Sequence, residues 1–244
     1  MVCGTSHWIY EVVSRLSQRN LFDIHILTSD DPKINPEKTK PFQIYPIIKK
    51  WGLLQTGSIC RKIQDLHPDI IYIQNPTIQY SRWGSFLMSW LVPRLKRSAP
   101  QTRIVVMQHD LAISHPCFRW RYRPLLQAAD AVIISNSRDA LAAQHLNIDS
   151  QKIYRAPLST HFHLHQPGAD IRKKARTSLN LPQGDFIVAF FGFILPGRNI
   201  DILIRALAQL RRDGRPVHGL IIGGPHEYAP KYFEKCQKLA GKLG

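Results

Sequence analysis

The chain has 244 residues, of which 44% are hydrophobic, and this composition is typical of a globular protein with one large domain or two modest ones rather than of a disordered chain. Its 33 Lys and Arg against 17 Asp and Glu leave a formal net charge of +16, which favours anionic partners such as nucleotide phosphates, nucleic acid or an acidic lipid surface. The four cysteines form no C-x-x-C pair, so their spacing argues against a zinc knuckle and a small disulfide scaffold. It favours a protein of the reducing cytosol.

Short runs rich in Val, Ile and Phe alternate along the chain with segments of helical spacing. The runs, typical of strands buried on both faces, span residues 22–27, 69–74, 103–108, 130–135, 186–192 and 217–224. Helices are predicted over 6–19 and 200–212, where apolar residues recur every three or four positions. Strand followed by helix, repeated, predicts a parallel α/β sheet covered by helices.

Polar and turn residues predict where several helices begin and end. Ser137 is expected to cap a helix that runs to His145, and Asn199 or Asp201 to begin the helix of residues 200–212. The stretch DGRP (213–216) then ends that helix with a Gly and a Pro.

The longest apolar stretch is WGSFLMSWLVPRLKR, residues 83–97. It is shorter than the roughly 20 residues that span a bilayer, and Pro93 interrupts it. We interpret it as a buried helix or, alternatively, as an interfacial one. Residues 1–10 have no apolar run behind a basic start, so no signal peptide is predicted.

A domain boundary is expected between about residues 158 and 184, where polar residues, prolines and a short basic helix break the alternation. We predict an N-terminal domain over 1–165 and a smaller C-terminal domain over 166–244. The second has the order β-α-β-α, half of a nucleotide-binding unit, and the first opens on a turn and a helix rather than on a strand. Both ends are therefore expected to be incomplete.

Ligands of open α/β sheets bind beyond the carboxyl ends of the strands, so the turns that lead from strand to helix are the candidate sites. The first such turn contains Gly4, which allows close backbone approach, and Thr5 or Ser6, which can bond a phosphate or a sugar hydroxyl. Capping of the following helix is the alternative role for Thr5 and Ser6.

A second turn follows the strand of residues 103–108 and begins with His109 and Asp110. A histidine at the carboxyl end of a strand can donate a hydrogen bond, change its charge near neutral pH or orient a sugar hydroxyl, which makes His109 a candidate catalytic residue. The alternative is a solvated or capping loop. Metal binding by His109, Asp110 and His115 is disfavoured, because their spacing defines no ligand geometry.

The third and fourth turns lie in the C-terminal part. Gly192 ends a strand, Gly197 shapes the turn after it, and Arg198 places a positive charge suited to a diphosphate just before a helix. Gly223 and Gly224 end the last strand and leave its backbone open to a ligand. Surface solvation is the alternative for Arg198, and an ordinary strand end for the glycine pair.

The stretch HFHLH carries His161, His163 and His165 at a spacing of two residues, which would place three imidazoles on one face of a strand. The stretch lies in the expected linker without a nearby Cys or carboxylate. We therefore predict no metal site there.

The order of these pieces resembles the family-4 glycosyltransferases, retaining enzymes of the GT-B fold that use sugar nucleotides. Three segments of the N-terminal part carry the resemblance: GTSHWIYEVVSRLSQRNLFDIHILTSD, VVMQHDL and ADAVIISNSRDALAAQHLNIDSQKIYRAPLS. In the C-terminal part, VAFFGFILPGRNIDILIRALAQL is similar to the family's donor-domain opening F-x-G-R/F-x-x-P-x-K-G-x-D-x-L-x-x-A, and GLIIGGP to its following strand. The C-terminal segments are the most specific.

The resemblance implies two Rossmann-like, doubly wound parallel-sheet domains, the acceptor-side domain first and an incomplete donor domain second. By position, Gly4 falls on the family's glycine loop, His109 on the histidine of the catalytic cleft, and Arg198 on the basic residue that contacts the donor diphosphate. The sequence departs from the family where Phe193 and Leu195 stand at the places of a second phosphate-binding Arg. It also ends before the family's Glu-x7-Glu element, so the chain is expected to be a fragment, the product of a mispredicted reading frame or a decayed gene product.

The implied function is transfer of a hexose from a nucleotide sugar to a hydroxyl of a sugar or lipid-linked acceptor, in polysaccharide or glycoconjugate synthesis. No metal or cofactor beyond the donor is expected, and the location is expected to be cytoplasmic, with peripheral contact to an anionic inner membrane face as an option. A noncatalytic remnant that binds an acceptor or a partner chain is the alternative. Nucleic-acid binding is disfavoured because no motif supports it.

Overall fold

The computed structural model of the chain describes residues 4–30, 42–49, 55–76, 84–115, 119–157, 168–226 and 229–243. It divides into two compact units, Met1–His163 and Leu164–Gly244. In both units parallel strands alternate with helices, which confirms the predicted α/β fold class.

The described helices of the first unit are α1 (Gly4–Ser17), α2 (Thr56–Leu66), α3 (Gly84–Ser98), α4 (Arg123–Ala128) and α5 (Ser137–His145). Its described strands are β1 (His25–Ser29), β2 (Gln43–Ile48), β3 (Ile70–Pro76), β4 (Arg103–His109), β5 (Ala131–Ile134) and β6 (Ile153–Arg155). Short 3-10 turns occupy Trp120–Tyr122 and Ser150–Lys152.

The strands of the first unit form a parallel sheet in the order β3-β4-β5-β6 and a separate parallel pair, β1-β2. The register of β3 and β4 sets Gln74 opposite Met107 and Pro76 opposite His109. Both strands therefore reach their carboxyl ends at the same level of the sheet, and the side chains that finish them become neighbours.

The core of the first unit lies between this sheet and its helices. Val92 and Leu95 of α3 and Leu125 of α4 are fully buried, as are Ile104 and Val106 of β4. Burial of each such side chain stabilises the fold by about 1.5–3 kcal/mol. The stretch around Pro93 is thus a helix with one face packed in the core, in agreement with its interpretation as a buried helix.

The described elements of the second unit are α6 (Ala169–Ser178), β7 (Phe186–Phe191), α7 (Ile200–Arg212), β8 (Val217–Ile222) and α8 (Pro230–Leu243), with a 3-10 turn at Pro196–Arg198. Strands β7 and β8 pair in parallel. Ile194, Ile200 and Ile204 pack with Cys236 of α8 in a small buried cluster.

Several predicted boundaries need correction. Strand β1 begins at His25 rather than at residue 22, and strands β2 and β6 lay outside the prediction because each is short and flanked by polar residues. The cap of α5 is Asn136, not Ser137, since the Asn136 side chain accepts a hydrogen bond from the Asp139 amide.

Candidate functional site

His109 is the last residue of β4, and a chain of side-chain hydrogen bonds holds its ring. Its Nε2 lies 2.7 Å from Oε1 of Gln74, and Nε2 of Gln74 donates to the hydroxyl of Tyr72 at 2.9 Å. Gln74 and Tyr72 are two residues apart on β3, so their side chains stand on the same face of the sheet. The ring of Trp8 on α1 meets the imidazole edge-on, with 6.3 Å between ring centres.

These contacts determine which ring nitrogen of His109 carries the proton. Oε1 of Gln74 can only accept a hydrogen bond, so Nε2 of His109 carries the proton and Nδ1 is the acceptor nitrogen of the neutral ring. Burial lowers the pKa of His109, while the charges of Asp110 and Asp139 oppose that shift. The imidazole is therefore neutral at pH 7, able to donate through one nitrogen and accept through the other.

The loop after β4 is anchored by two charged side chains. The buried Asp139 carboxylate accepts from the amide of Ala112 at 2.6 Å and from Nδ2 of Asn136 at 2.9 Å. The guanidinium of Arg119 donates to the carbonyls of Ser114 and Ala112 at 2.8 and 2.5 Å. Asp110 begins this loop with a positive φ of 55°, a conformation that Asp tolerates. The turn is held rather than loosely solvated.

A buried pair of amide side chains joins the ends of β3 and β4 beneath His109. Nδ2 of Asn75 donates to Oε1 of Gln108 at 2.7 Å, and Nε2 of Gln108 donates to the His109 carbonyl at 2.8 Å. Both side chains are fully buried. Oδ1 of Asn75 has no hydrogen-bond partner among the described residues. A polar network of this kind keeps the carboxyl ends of β3 and β4 aligned with each other.

In the second unit, the two glycine turns touch. A Cβ on Gly223 would lie 1.9 Å from the carbonyl oxygen of Gly192, so only glycine fits there. Gly192 itself has a φ of 140°, outside the range that other residues adopt. Pairing continues beyond the strands, since the Ile194 amide donates to the Gly224 carbonyl at 3.0 Å. Both of the contacting glycines therefore have a structural role in addition to any role in ligand binding.

Arg198 ends the 3-10 turn that leads into α7. Its side chain is exposed, and within the described parts of the chain its guanidinium has neither a hydrogen bond nor an ion pair. Asn199 follows with a φ of 55° and makes no side-chain cap. Added Cβ atoms at Gly197 and Gly224 would meet nothing within 4 Å, so neither glycine is required by packing.

The first turn of α7 is partly occupied by the protein itself. The Tyr232 hydroxyl accepts from the Asp201 amide at 3.3 Å and donates to the Asp201 carboxylate at 2.6 Å. Lys235 completes an ion pair with that carboxylate at 3.4 Å. The Tyr232 hydrogen bond lowers the pKa of Asp201, and burial together with the Asp201 carboxylate raises the pKa of Tyr232 to about 12. These contacts fasten α8 to the start of α7.

The remaining predicted residues are placed as follows. Gly4 and Thr5 form the first turn of α1 rather than a loop before it, and their side chains are not described. His161, His163 and His165 lie outside the described residues. Within the described ranges, no three His, Cys, Asp or Glu side chains come together as metal ligands. No described helix is long and apolar enough to cross a membrane.

Sequence reasoning missed Gln74, Tyr72 and Asp139. The first two alternate with Ile in the strand run IIYIQN, where polar residues on one face were a usable signal. Asp139 stands three residues after Asn136, the spacing of a capping box, which could have been recognised before the structure.

No family model matches the chain. It is 34% identical over 125 residues to the D-inositol 3-phosphate glycosyltransferase of Nocardia farcinica, a match that covers 50% of this chain and 27% of that protein. It is 47% identical over 70 residues to the enzyme of the same name from Gordonia bronchialis, covering 24% and 15% respectively. The matched region thus spans about a quarter or less of these curated relatives.

Solved glycosyltransferase structures share the fold. The glycosyltransferase from Rickettsia africae matches 100% of this chain and 63% of its own, with a TM-score of 0.71 at 14% identity. The Anabaena protein Alr3699/HepE, solved with UDP and glucose, matches 84% of this chain and 53% of its own, with a TM-score of 0.61 at 17% identity. These findings confirm the resemblance to glycosyltransferases and the likeness of the parallel α/β fold to that of GT-B structures.

Proposed function

Because the chain is similar to glycosyltransferases in sequence and to GT-B proteins in fold, we propose that it is a retaining glycosyltransferase. The reaction would transfer a hexose from a nucleotide sugar to a hydroxyl acceptor. The observation that carries the proposal is Arg198, an exposed guanidinium without a partner among the described residues, at the strand-to-helix turn of the second unit. A role in polysaccharide or glycoconjugate synthesis belongs to the same proposal.

The donor diphosphate would bind at the turn of Gly192, Gly197 and Arg198. A guanidinium suits phosphate because its planar fork can form two parallel charge-assisted hydrogen bonds. Gly197 has no side chain and open space beside it, so a ligand can come close to its backbone next to the Arg198 cation. Gly223 keeps the neighbouring strand end close and would help to shape this site.

His109 would act within the first unit on the sugar or acceptor. Its neutral ring, with the proton on Nε2, can orient a hydroxyl through Nδ1 without placing a charge beside it. Asp110 follows directly and is a secondary candidate for hydroxyl binding. Gly4 and Thr5, at the start of α1, are proposed to bind a phosphate or a sugar hydroxyl, and Gly224 is a secondary candidate beside Gly223.

The acceptor is proposed to be a sugar, a polyol or a lipid-linked form of either. Support comes from the curated relatives, which are named for D-inositol 3-phosphate, a phosphorylated polyol. The reaction would require no cofactor besides the donor, because fixed dipoles and cations can stabilise the leaving diphosphate.

Calorimetric titration of the full chain with UDP-glucose, GDP-mannose, UDP and GDP tests the donor site. Saturable binding is expected, and Arg198→Ala should weaken it at least about tenfold through loss of a charged hydrogen bond. Arg205→Ala, which removes an exposed arginine from α7, is the matched control and should bind like the wild type. Absence of binding by a chain that circular dichroism shows to be folded would favour the alternative of a noncatalytic binding module.

A further inference from the structure

Two tryptophans lie exposed on neighbouring elements of the first unit. Trp90 on α3 is 58% exposed and Trp120 in the 3-10 turn before α4 is 59% exposed. The elements are in direct contact, because the hydroxyl of Ser89 donates to the carbonyl of Arg121. Exposed indoles are costly in water and are typical of surfaces that bind a partner.

Arginines share the faces of these tryptophans. Trp90, Arg94 and Arg97 are spaced by four and three residues along α3, so they lie along one exposed face. The buried Val92 and Leu95 lie on the other side of the helix. The same helix thus packs into the core on one side and presents an indole and two guanidinium groups on the other.

The second tryptophan repeats this pairing. Arg123, the first residue of α4, is exposed and lies three residues after Trp120. Tyr122 and Leu125 turn inward and are buried. The two elements therefore offer the same combination, an exposed indole with an exposed guanidinium close behind it.

The charge on this surface is not neutralised within the described structure. The elements α3, the 3-10 turn and α4 contain no Asp or Glu. Lys96 is turned away to an ion pair with Asp130, but within the described ranges no carboxylate pairs with Arg94, Arg97 or Arg123. A cationic face without acids attracts an anionic partner.

Indoles and arginines together suit one anionic partner in particular. Tryptophan prefers the boundary between headgroups and hydrocarbon, and arginine reaches lipid phosphates while its stem lies on apolar surface. We propose that the surface of Trp90, Arg94, Arg97, Trp120 and Arg123, here called the Trp-Arg surface, binds the headgroup region of an anionic lipid bilayer. This contact lies on the membrane without crossing it.

Vesicle flotation tests the proposal with the full chain and no sugar donor, so it is independent of the transferase function. The chain should float with vesicles of phosphatidylcholine mixed with phosphatidylglycerol and remain behind with phosphatidylcholine alone. Its tryptophan fluorescence should shift to shorter wavelength on binding. High salt should weaken the binding by screening the arginines.

Variants locate the contact. Arg94→Gln with Arg97→Gln should reduce partitioning on the order of 30-fold, because each basic residue close to an anionic surface strengthens membrane binding about fivefold. Arg172→Gln with Lys174→Gln removes the same charge from exposed positions of α6 and should cost far less. Trp90→Ala with Trp120→Ala should abolish the fluorescence shift while circular dichroism shows the fold intact.

Equal loss in the two charge variants would overturn the proposal, since the binding would then follow net charge alone. Equal binding to neutral vesicles would overturn it as well. An oligonucleotide that binds through Arg94 and Arg97, while anionic vesicles do not bind, would instead identify a nucleic-acid surface.

Discussion

Nε2 of His109 and Oε1 of Gln74 are 2.7 Å apart, although 35 residues separate them in sequence. The distance makes Gln74 a positioning residue for His109, the proposed catalytic histidine. Tyr72 orients the amide in turn, because it receives the hydrogen bond from Nε2 of Gln74. The tautomer of His109 is therefore determined by two residues of the adjacent strand.

Gln74→Glu should raise the pKa of His109, because a carboxylate in place of the amide oxygen stabilises the imidazolium. Gln74→Leu should remove the preference for a proton on Nε2. Nitrogen NMR of the ring across a pH series measures the tautomer and the pKa in the free protein, with His109→Gln to assign the signal. Gln127→Leu, at an exposed position of α4, is the control. A wild-type ring protonated on Nδ1 would contradict the assignment.

The stability of the first unit should fall as the solution is acidified. Burial lowers the pKa of His109 in the folded state, so the unfolded state binds a proton first, at its ordinary pKa of about 6.5. The contribution of the neutral ring is present above that pH and is lost as the pH falls toward the folded-state pKa. Urea unfolding at several pH values gives the slope of the free energy of unfolding against pH. In this window the slope should be smaller for His109→Gln than for the wild type. An unchanged slope would mean that other groups dominate.

Gly223→Ala should destabilise the second unit by about 3 kcal/mol, because the new methyl group would overlap a backbone carbonyl that cannot rotate away. Gly224→Ala is the matched control, since its added Cβ has open space. Thermal unfolding of both variants measures the difference. Equal melting temperatures would show that the Gly192 and Gly223 backbones do not approach as closely as described.

Asp139→Ala should cost about 2–3 kcal/mol, because the charged acceptor of the Ala112 amide and of Asn136 is lost inside the unit. The Ala112 amide should then exchange its hydrogen much faster. Asp149→Ala is a milder control, since its carboxylate caps a 3-10 turn at an exposed site and is worth about 1 kcal/mol. Hydrogen exchange followed by NMR distinguishes local loosening of the loop from global unfolding. Unchanged exchange at Ala112 would show that Arg119 alone anchors the loop.

The sequence predicted the turns that carry the candidate residues, but not the contacts made there. The turn that begins with His109, the glycines Gly192 and Gly223, and the position of Arg198 before a helix followed from strand ends and turn residues. The partners of His109 did not follow, because Gln74 comes close only through the register of β3 against β4. The tight contact of Gly192 with Gly223 likewise depends on two separate strand ends.

Local pattern alone determined the parallel α/β class and the bounds of α7, Ile200–Arg212, because apolar periodicity and flanking Gly and Pro act within a few residues. Tertiary structure alone decided the tautomer of His109, the anchoring of its loop by Asp139, and the proximity of Trp90 to the Trp120 turn. Each of these joins residues that are distant along the chain. Hydrogen bonds and packing act over a few ångströms, so such pairs exist only after strands and helices have been brought together.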